Sequence, residues 1–298
     1  MMKMELITQE NLVAIIKNAV EKNTGFGLGK IGFCEQFFLN YPLFMSSQPN
    51  AQQLKAYQLV ANFNCLKQSG VFPSNLDFLA SFSAFFSDAV AKLDVLGLFG
   101  APLEKILIEH YQFSAHLVKY RNTEPNRSIP NNAKLCYLPF FENKRVLIIA
   151  PFGHLLKERA KQSVFEGVWL NTLKPWFKPS FVDSIEFPYA YESQTQQKFG
   201  DIFNLFEYIC QQIDTKDFDI ALIAAGGLAI PLASYIKSKR KSAFSLGGHL
   251  QVLFGVKGAR WKNDPVWVNH YFNDAWVDMP EQYHPQDKNQ LTDRGAYW

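Results

Sequence analysis

Two segments of this chain set paired glycines directly behind an apolar run. Asp219–Ala224 leads into Ala225-Gly226-Gly227-Leu228-Ala229-Ile230-Pro231, and Ala243–Leu246 leads into Gly247-Gly248-His249-Leu250-Gln251. Glycines between a strand and a helix let the backbone turn tightly and approach a ligand. The N–H groups at the start of the next helix can then hold an anion such as a phosphate. A tight turn without a ligand would use the same residues. A third apolar run, Arg145–Ala150, leads into Pro151-Phe152-Gly153-His154. Phe152 and His154 thus take the same place behind their strand as Gly226 and Gly227 take behind theirs. His249 and Gln251 are expected to point from the second turn, behind Ala243–Leu246, into a common crevice. Three converging strand ends are the strongest local argument for a site.

Further along, Arg260 and Trp261 follow Gly255-Val256-Lys257-Gly258-Ala259. Arginine grips phosphate with two N–H groups, and tryptophan stacks on a base or sugar ring. A surface loop with a structural Trp would read the same way. Near the other end, Lys30-Ile31-Gly32-Phe33-Cys34-Glu35 closes a short extended run. Glu35 falls at a helix start, where the helix dipole favours a carboxylate. Asp94 lies within an apolar stretch, so it must be paired, exposed at a turn, or functional. His110 and His116 do not share a helical face. No H-E-x-x-H, G-x-S-x-G, G-x-G-x-x-G or Walker A pattern occurs, which removes the main support for zinc proteases, serine hydrolases, dinucleotide sites and P-loops.

The elements that must carry these residues change character along the chain. The first half reads as helices. Thr8 caps a pattern of Leu12, Ile15, Ile16, Ala19 and Val20, and Asn50 caps a second. Ser74-Asn75-Leu76-Asp77 resembles a capping box opening a third, to about Leu93. A fourth covers Leu103 to about Tyr111. Short extended segments fall at about Gly25–Ile31 and Val95–Leu98. The polar stretch Tyr120–Asn132, with Pro125 and Pro130, reads as a linker or long loop. In the second half, apolar strands at Arg145–Ala150, Phe181–Phe187, Asp219–Ala224 and Ala243–Leu246 alternate with helices at about Leu155–Leu173, Thr195–Ile213 and Pro231–Ser238. Such alternation predicts an α/β fold: a Rossmann-like, mostly parallel sheet with helices on both faces, after a helix-rich N-terminal part. The division expected is 1–132 and 133–298, or one continuous domain.

Composition narrows the function classes. The 298 residues carry 30 Lys plus Arg against 27 Asp plus Glu, a net charge of +3, with 48% hydrophobic residues. That excludes disorder and argues against a nucleic-acid binder working through bulk charge. Aromatics reach 15%, enough for a Phe-rich core with some rings left for a ligand groove or a membrane surface. Apolar stretches such as Phe218–Ala233 are too short and too interrupted to span a bilayer. Met1–Thr8 lacks the pattern of a signal peptide. Cys34, Cys65, Cys136 and Cys210 form no C-x-x-C pair, which points to a reducing cytoplasm rather than a disulfide or zinc framework.

At this point the residues carry a family resemblance. The run 223–261, IAAGGLAIPLASYIKSKRKSAFSLGGHLQVLFGVKGARW, resembles the C-terminal signature of bacterial proteins related to the GT-D fold glycosyltransferases. These were first grouped as a domain of unknown function and occur among cell-surface polysaccharide genes. Three further stretches agree in order: Lys30–Glu35 with a basic-x-G-x-x-E segment, Arg145–Phe152 with a strand ending in Pro-Phe, and Trp276 to Gly295-Ala296-Tyr297-Trp298 with the closing segment.

The resemblance implies transfer of a sugar from a nucleotide-diphosphate sugar to a glycan or lipid-linked glycan acceptor, in the cytoplasm or at the inner face of the membrane with peripheral contact. It implies a divalent cation, Mn2+ or Mg2+, on a D-x-E motif. Phe33 stands where the family has Asp, so Glu35 would need a second acid such as Asp94. The expected donor site is Lys30, Gly32, Phe152, His154, Gly226, Gly227, Gly247, Gly248, Gln251, Arg260 and Trp261. Glu35, Asp94 and His249, in that order, are the candidates for the general base. Two other readings remain open. One is a non-catalytic nucleotide- or sugar-binding member that supports another transferase; the other is a different phosphate-ester or nucleotide-dependent transferase.

Overall fold

The computed structural model describes residues 5–125, 133–172, 177–286 and 295–298. Its centre is a seven-stranded sheet, parallel throughout, built from β1 (Phe26–Ile31), β2 (Val95–Leu98), β3 (His116–Lys119), β4 (Arg145–Ile149), β5 (Phe181–Ile185), β6 (Ile220–Ile223) and β7 (Ser242–Ser245) in the order 3-2-1-7-6-4-5. The α/β class expected from the strand–helix alternation is therefore what the chain adopts. A second, two-stranded sheet pairs β8 (Val256–Lys257) with β9 (Val277–Asp278). β1 pairs with β7, Phe26 opposite Ser242, so strands from both halves of the chain form one sheet.

The strands are apolar on both faces because both faces are covered. In β4, Leu147 and Ile149 join one core while Val146 and Ile148 join the other. In β6, Ala221 and Ile223 part from Ile220 and Leu222 in the same way. This is the period of two that a pleated strand imposes. The first core packs helices Phe33–Ser46, Leu76–Ala91, Ile202–Asp214 and Ala229–Ser238, with Phe37, Phe38, Phe82 and Phe86 among its members. The second packs helices Gln9–Lys22 and Gln162–Val168 together with Trp169, Trp261, Trp267 and Trp276. Most of the aromatic excess thus goes to the interior, each ring contributing about 2–3 kcal/mol of burial.

Local signals set most boundaries. Thr8 accepts from the Asn11 N–H at 3.2 Å, and Asn50 from Gln53 at 2.9 Å. For the helix Leu76–Ala91 the capping side chain is Asn75, accepting from Phe78 at 2.8 Å, rather than Ser74. The stretch expected as one helix over 195–213 is two, Ser193–Phe199 and Ile202–Asp214. Gly200 turns at φ +75, and Asp201 caps the second helix through the Asn204 N–H. The one expected from Leu155 is also two, Gly153–Arg159 and Gln162–Val168; Leu173 lies outside the described residues.

The polar stretch from Tyr120 begins differently from a linker. Tyr120–Thr123 is a tight turn directly behind β3, with Thr123 fully buried and Glu124 4% exposed. Residues 126–132, with Asn126, Arg127 and Ser128, lie outside the described residues. Among the described residues no helix is long and apolar enough to cross a membrane.

Candidate functional site

All seven strands point their carboxyl ends at one cavity of about 570 Å³. β1 contributes Lys30 and, just behind it, Gly32, Phe33, Cys34 and Glu35. Phe99 and Tyr120 come from behind β2 and β3, and Pro151 and Phe152 from behind β4. Phe187, Tyr189 and Tyr191 follow β5; Ala224, Ala225 and Gly226 follow β6; Gly247 and Gly248 follow β7. β4 hands the chain to β5 on one side and β6 hands it to β7 on the other. The cavity therefore opens at a topological switch point, where parallel sheets bind ligands.

Glu35 sits in the first turn of the helix Phe33–Ser46, whose N-cap is Gly32. Its Oε2 accepts the Gly32 N–H at 3.0 Å. Burial raises its pKa to about 7, against its own and the Gly32 N–H groups and the charge of Lys30, which pull it down. A carboxyl that titrates near neutrality inside a cavity can take a proton from a hydroxyl and give it back. Cys34, beside it, is pushed up to about 12 by burial and by Glu35. Both influences favour its neutral thiol form.

Lys30 is 6% exposed. Its Nζ donates to the Leu246 carbonyl at 2.9 Å and to Glu124 Oε1 at 3.2 Å, and lies 4.5 Å from the Tyr120 ring centre. Glu124 Oε2 in turn lies 3.5 Å from His249 Nδ1. A buried carboxylate thus stands between an ammonium on β1 and an imidazole behind β7. Sequence reasoning missed Glu124 because it sits in a polar stretch that reads as loop. A carboxylate just behind the third strand of the sheet was the available signal, hidden because β3 itself had not been recognised.

The remaining expected residues divide cleanly. Gly32, Phe152, Gly226, Gly247, Gly248 and Arg260 line the cavity with Lys30 and Glu35. The Arg260 guanidinium lies 5.1 Å from the ring centre of Tyr297, another lining residue. Gly227 is packed away behind Gly226, where an added Cβ would fall 2.5 Å from Val71 Cγ2. His249 is 3% exposed and faces Glu124, not the cavity. Gln251 is fully buried, donating to the Tyr297 carbonyl at 2.8 Å. Trp261 is buried among Trp267 and Tyr297. Both stand behind the wall and hold it. His154 turns outward, 60% exposed, with Nδ1 3.3 Å from Glu186; the same carboxylate takes its backbone N–H.

Asp94 is at the other end of the sheet. It precedes β2, accepts the Gly27 N–H at 2.9 Å and pairs with Lys237 at 2.7 Å. It cannot join Glu35, because a strand's length separates them. The carboxylate that the apolar context made suspicious is paired, and its work is to tie β1 to β2. Among the described residues Glu35 is then the one carboxylate on the cavity wall, and no cluster of three or more His, Cys, Asp or Glu could hold a metal ion.

Gly226 has φ +51, and an added Cβ would lie 2.5 Å from the Ser69 carbonyl oxygen. Both the left-handed backbone and the contact require glycine. Gly226→Ala should lower stability by about 1–3 kcal/mol, read as a lower urea midpoint with an unchanged slope. An unchanged midpoint would mean that the Ser69 segment gives way freely.

No protein-family model, curated protein or solved structure matches this chain.

Proposed function

We propose that this protein transfers a sugar from a nucleotide-diphosphate sugar to a hydroxyl of a glycan or lipid-linked glycan acceptor. The observation that carries the reading is Glu35: a carboxyl with its pKa raised to about 7, on the wall of the cavity where every strand of the parallel sheet ends. In the reaction the acceptor oxygen bonds to the anomeric carbon, the bond from that carbon to the diphosphate breaks, and its electron pair leaves with the nucleoside diphosphate. Glu35 accepts the hydroxyl proton. Arg260 at the cavity wall and the glycine turns behind β6 and β7 face the departing negative charge. Lys30 adds positive potential from β1.

The expected Mn2+ or Mg2+ site does not fit these residues. A hard divalent ion takes several oxygen ligands, whereas Phe33 supplies none, Asp94 is at the opposite end of the sheet, and no other carboxylate among the described residues lines the cavity beside Glu35. Charge on the leaving group is therefore met by protein cations and backbone dipoles. EDTA should leave the rate of transfer unchanged; loss of turnover in EDTA, restored by manganese, would overturn this part.

The direct test is a panel of nucleotide-diphosphate sugars with mixed oligosaccharide acceptors, following release of nucleoside diphosphate. Release that depends on acceptor and on Glu35 supports the transferase. Phe33 in place of a metal-binding acid favours a second reading, a non-catalytic binding member that supports another transferase. Donor binding with no release by the wild type would select it. Attachment at the inner face of the membrane would accompany a lipid-linked acceptor.

A further inference from the structure

The cavity mouth carries three rings in a row. Phe33, Phe99 and Tyr120 come from behind three different strands, yet they stack in sequence. Phe33 and Phe99 have centroids 5.6 Å apart and planes 23° apart; Phe99 and Tyr120 are 3.8 Å and 29° apart. The inner end of the stack is closed by the Lys30 ammonium, 4.5 Å from the Tyr120 ring centre. The outer end is open: Phe99 is 49% exposed and Phe33 71%.

The backbone segments that carry these rings are held by buried polar groups. Glu104, 1% exposed, accepts the N–H groups of Phe99, Gly100 and Ala101, which fixes the loop behind β2. Gln36, 3% exposed, donates to Glu104 Oε1 at 3.1 Å from the helix that carries Phe33 and Glu35. A buried amide–carboxylate pair therefore ties together the two backbone segments that carry the exposed rings. Water-facing phenyl rings held in register offer a preorganised π face, which hydrophobic collapse alone does not produce.

We propose that Phe33, Phe99 and Tyr120 form a stacking platform for the flat heteroaromatic base of a nucleotide, with the base laid against Phe33. This rests on reading the cavity as a nucleotide-donor site and specifies which part of it holds the base. A near-parallel stack is best continued by another flat ring, and every nucleobase has a π face. The rest of the wall suits the other end of such a ligand, since Lys30, Arg260 and the turns at Gly226 and Gly247 face the same cavity. The ligand class implied is a ring joined to an anion.

The test is calorimetric titration of the full chain with uridine, adenosine and guanosine diphosphates, and with inorganic pyrophosphate and ribose 5-phosphate, which lack a base. At least one nucleoside diphosphate should bind more than about tenfold tighter than pyrophosphate. Phe33→Ala should lose about tenfold in that affinity and leave pyrophosphate binding unchanged. Phe33→Trp should keep it, and Phe33→Leu, apolar but not flat, should resemble Ala. Phe33 is exposed, so these variants should fold as the wild type does, and a thermal melt checks it. No binding by any nucleoside diphosphate, equal affinity in Phe33→Ala, or full retention in Phe33→Leu would overturn the platform. Base-dependent binding with no sugar transfer would keep the platform and discard the transferase. Transfer that is indifferent to Phe33 would do the reverse.

Discussion

Glu35→Gln is expected to lower the proposed sugar transfer by about 10²–10⁴-fold, the contribution of a positioned general base, while the chain folds as before. The amide fills the same volume and its oxygen can still accept the Gly32 N–H, so the helix start survives. It cannot take a proton. The wild-type rate should rise with pH through about 7, as the carboxyl ionises, and this limb should vanish in the variant. Stability should move the opposite way. Burial raises the Glu35 pKa to about 7, above the value of about 4.5 for a free glutamate. Between these values the folded state binds more protons than the unfolded one, so stability falls as pH rises through that window. Above pH 7 the wild type holds a carboxylate in an unfavourable place and the variant does not. Glu35→Gln should therefore melt higher than the wild type at pH 8, with the difference fading toward pH 4. Turnover at the wild-type rate would remove Glu35 from the chemistry. A variant that melts lower at pH 8 would contradict the burial argument.

Glu124→Ala is expected to cost about 3–5 kcal/mol of folding stability, the usual result of removing one partner from a buried ion pair. Its carboxylate lies 3.2 Å from Lys30 Nζ and 3.5 Å from His249 Nδ1, and both carboxylate and ammonium side chains are 5% exposed. The variant leaves positive charge in the interior without its carboxylate. Glu124→Gln keeps an acceptor and should lose less. Urea denaturation with linear extrapolation measures both. Since Lys30 also lines the cavity, Glu124→Gln removes the negative charge beside its ammonium and should tighten diphosphate binding under conditions where it is fully folded. A change of less than about 1 kcal/mol in Glu124→Ala would place the pair among interactions that merely offset their own desolvation.

The same contrast between local and long-range information runs through the whole molecule. Apolar runs at Arg145–Ile149 and Ile220–Ile223 could be read as buried parallel strands because burial on both faces leaves no room for polar alternation. Caps at Thr8 and Asn50 were legible because a capping bond spans three residues. The strand–glycine turns at Gly226 and Gly247 were legible for a similar reason: a positive φ is a property of one residue. From these, the fold class and the carboxyl edge of the sheet as the place of the cavity follow from sequence. β3 did not follow. His116–Lys119 is a four-residue edge strand with an exposed residue at each end, too short to carry a periodic signal.

What the tertiary structure decided was partnership. Asp94 and Glu35 are both acids near short strands in the first half of the chain. One lies before its strand and the other behind its own, so parallel pairing sends them to opposite ends of the sheet. His249 and Gln251 follow a glycine turn that does reach the cavity, yet the short helix they open turns both side chains inward, to Glu124 and to the Tyr297 carbonyl. Phe33, Phe99 and Tyr120 are scattered over 88 positions of sequence and become one stack only when β1, β2 and β3 lie side by side. Backbone preferences act over a few residues and can be read from a single chain. Distances between side chains far apart in sequence depend on strand order and direction, which follow from how the two cores pack, and no local pattern encodes them.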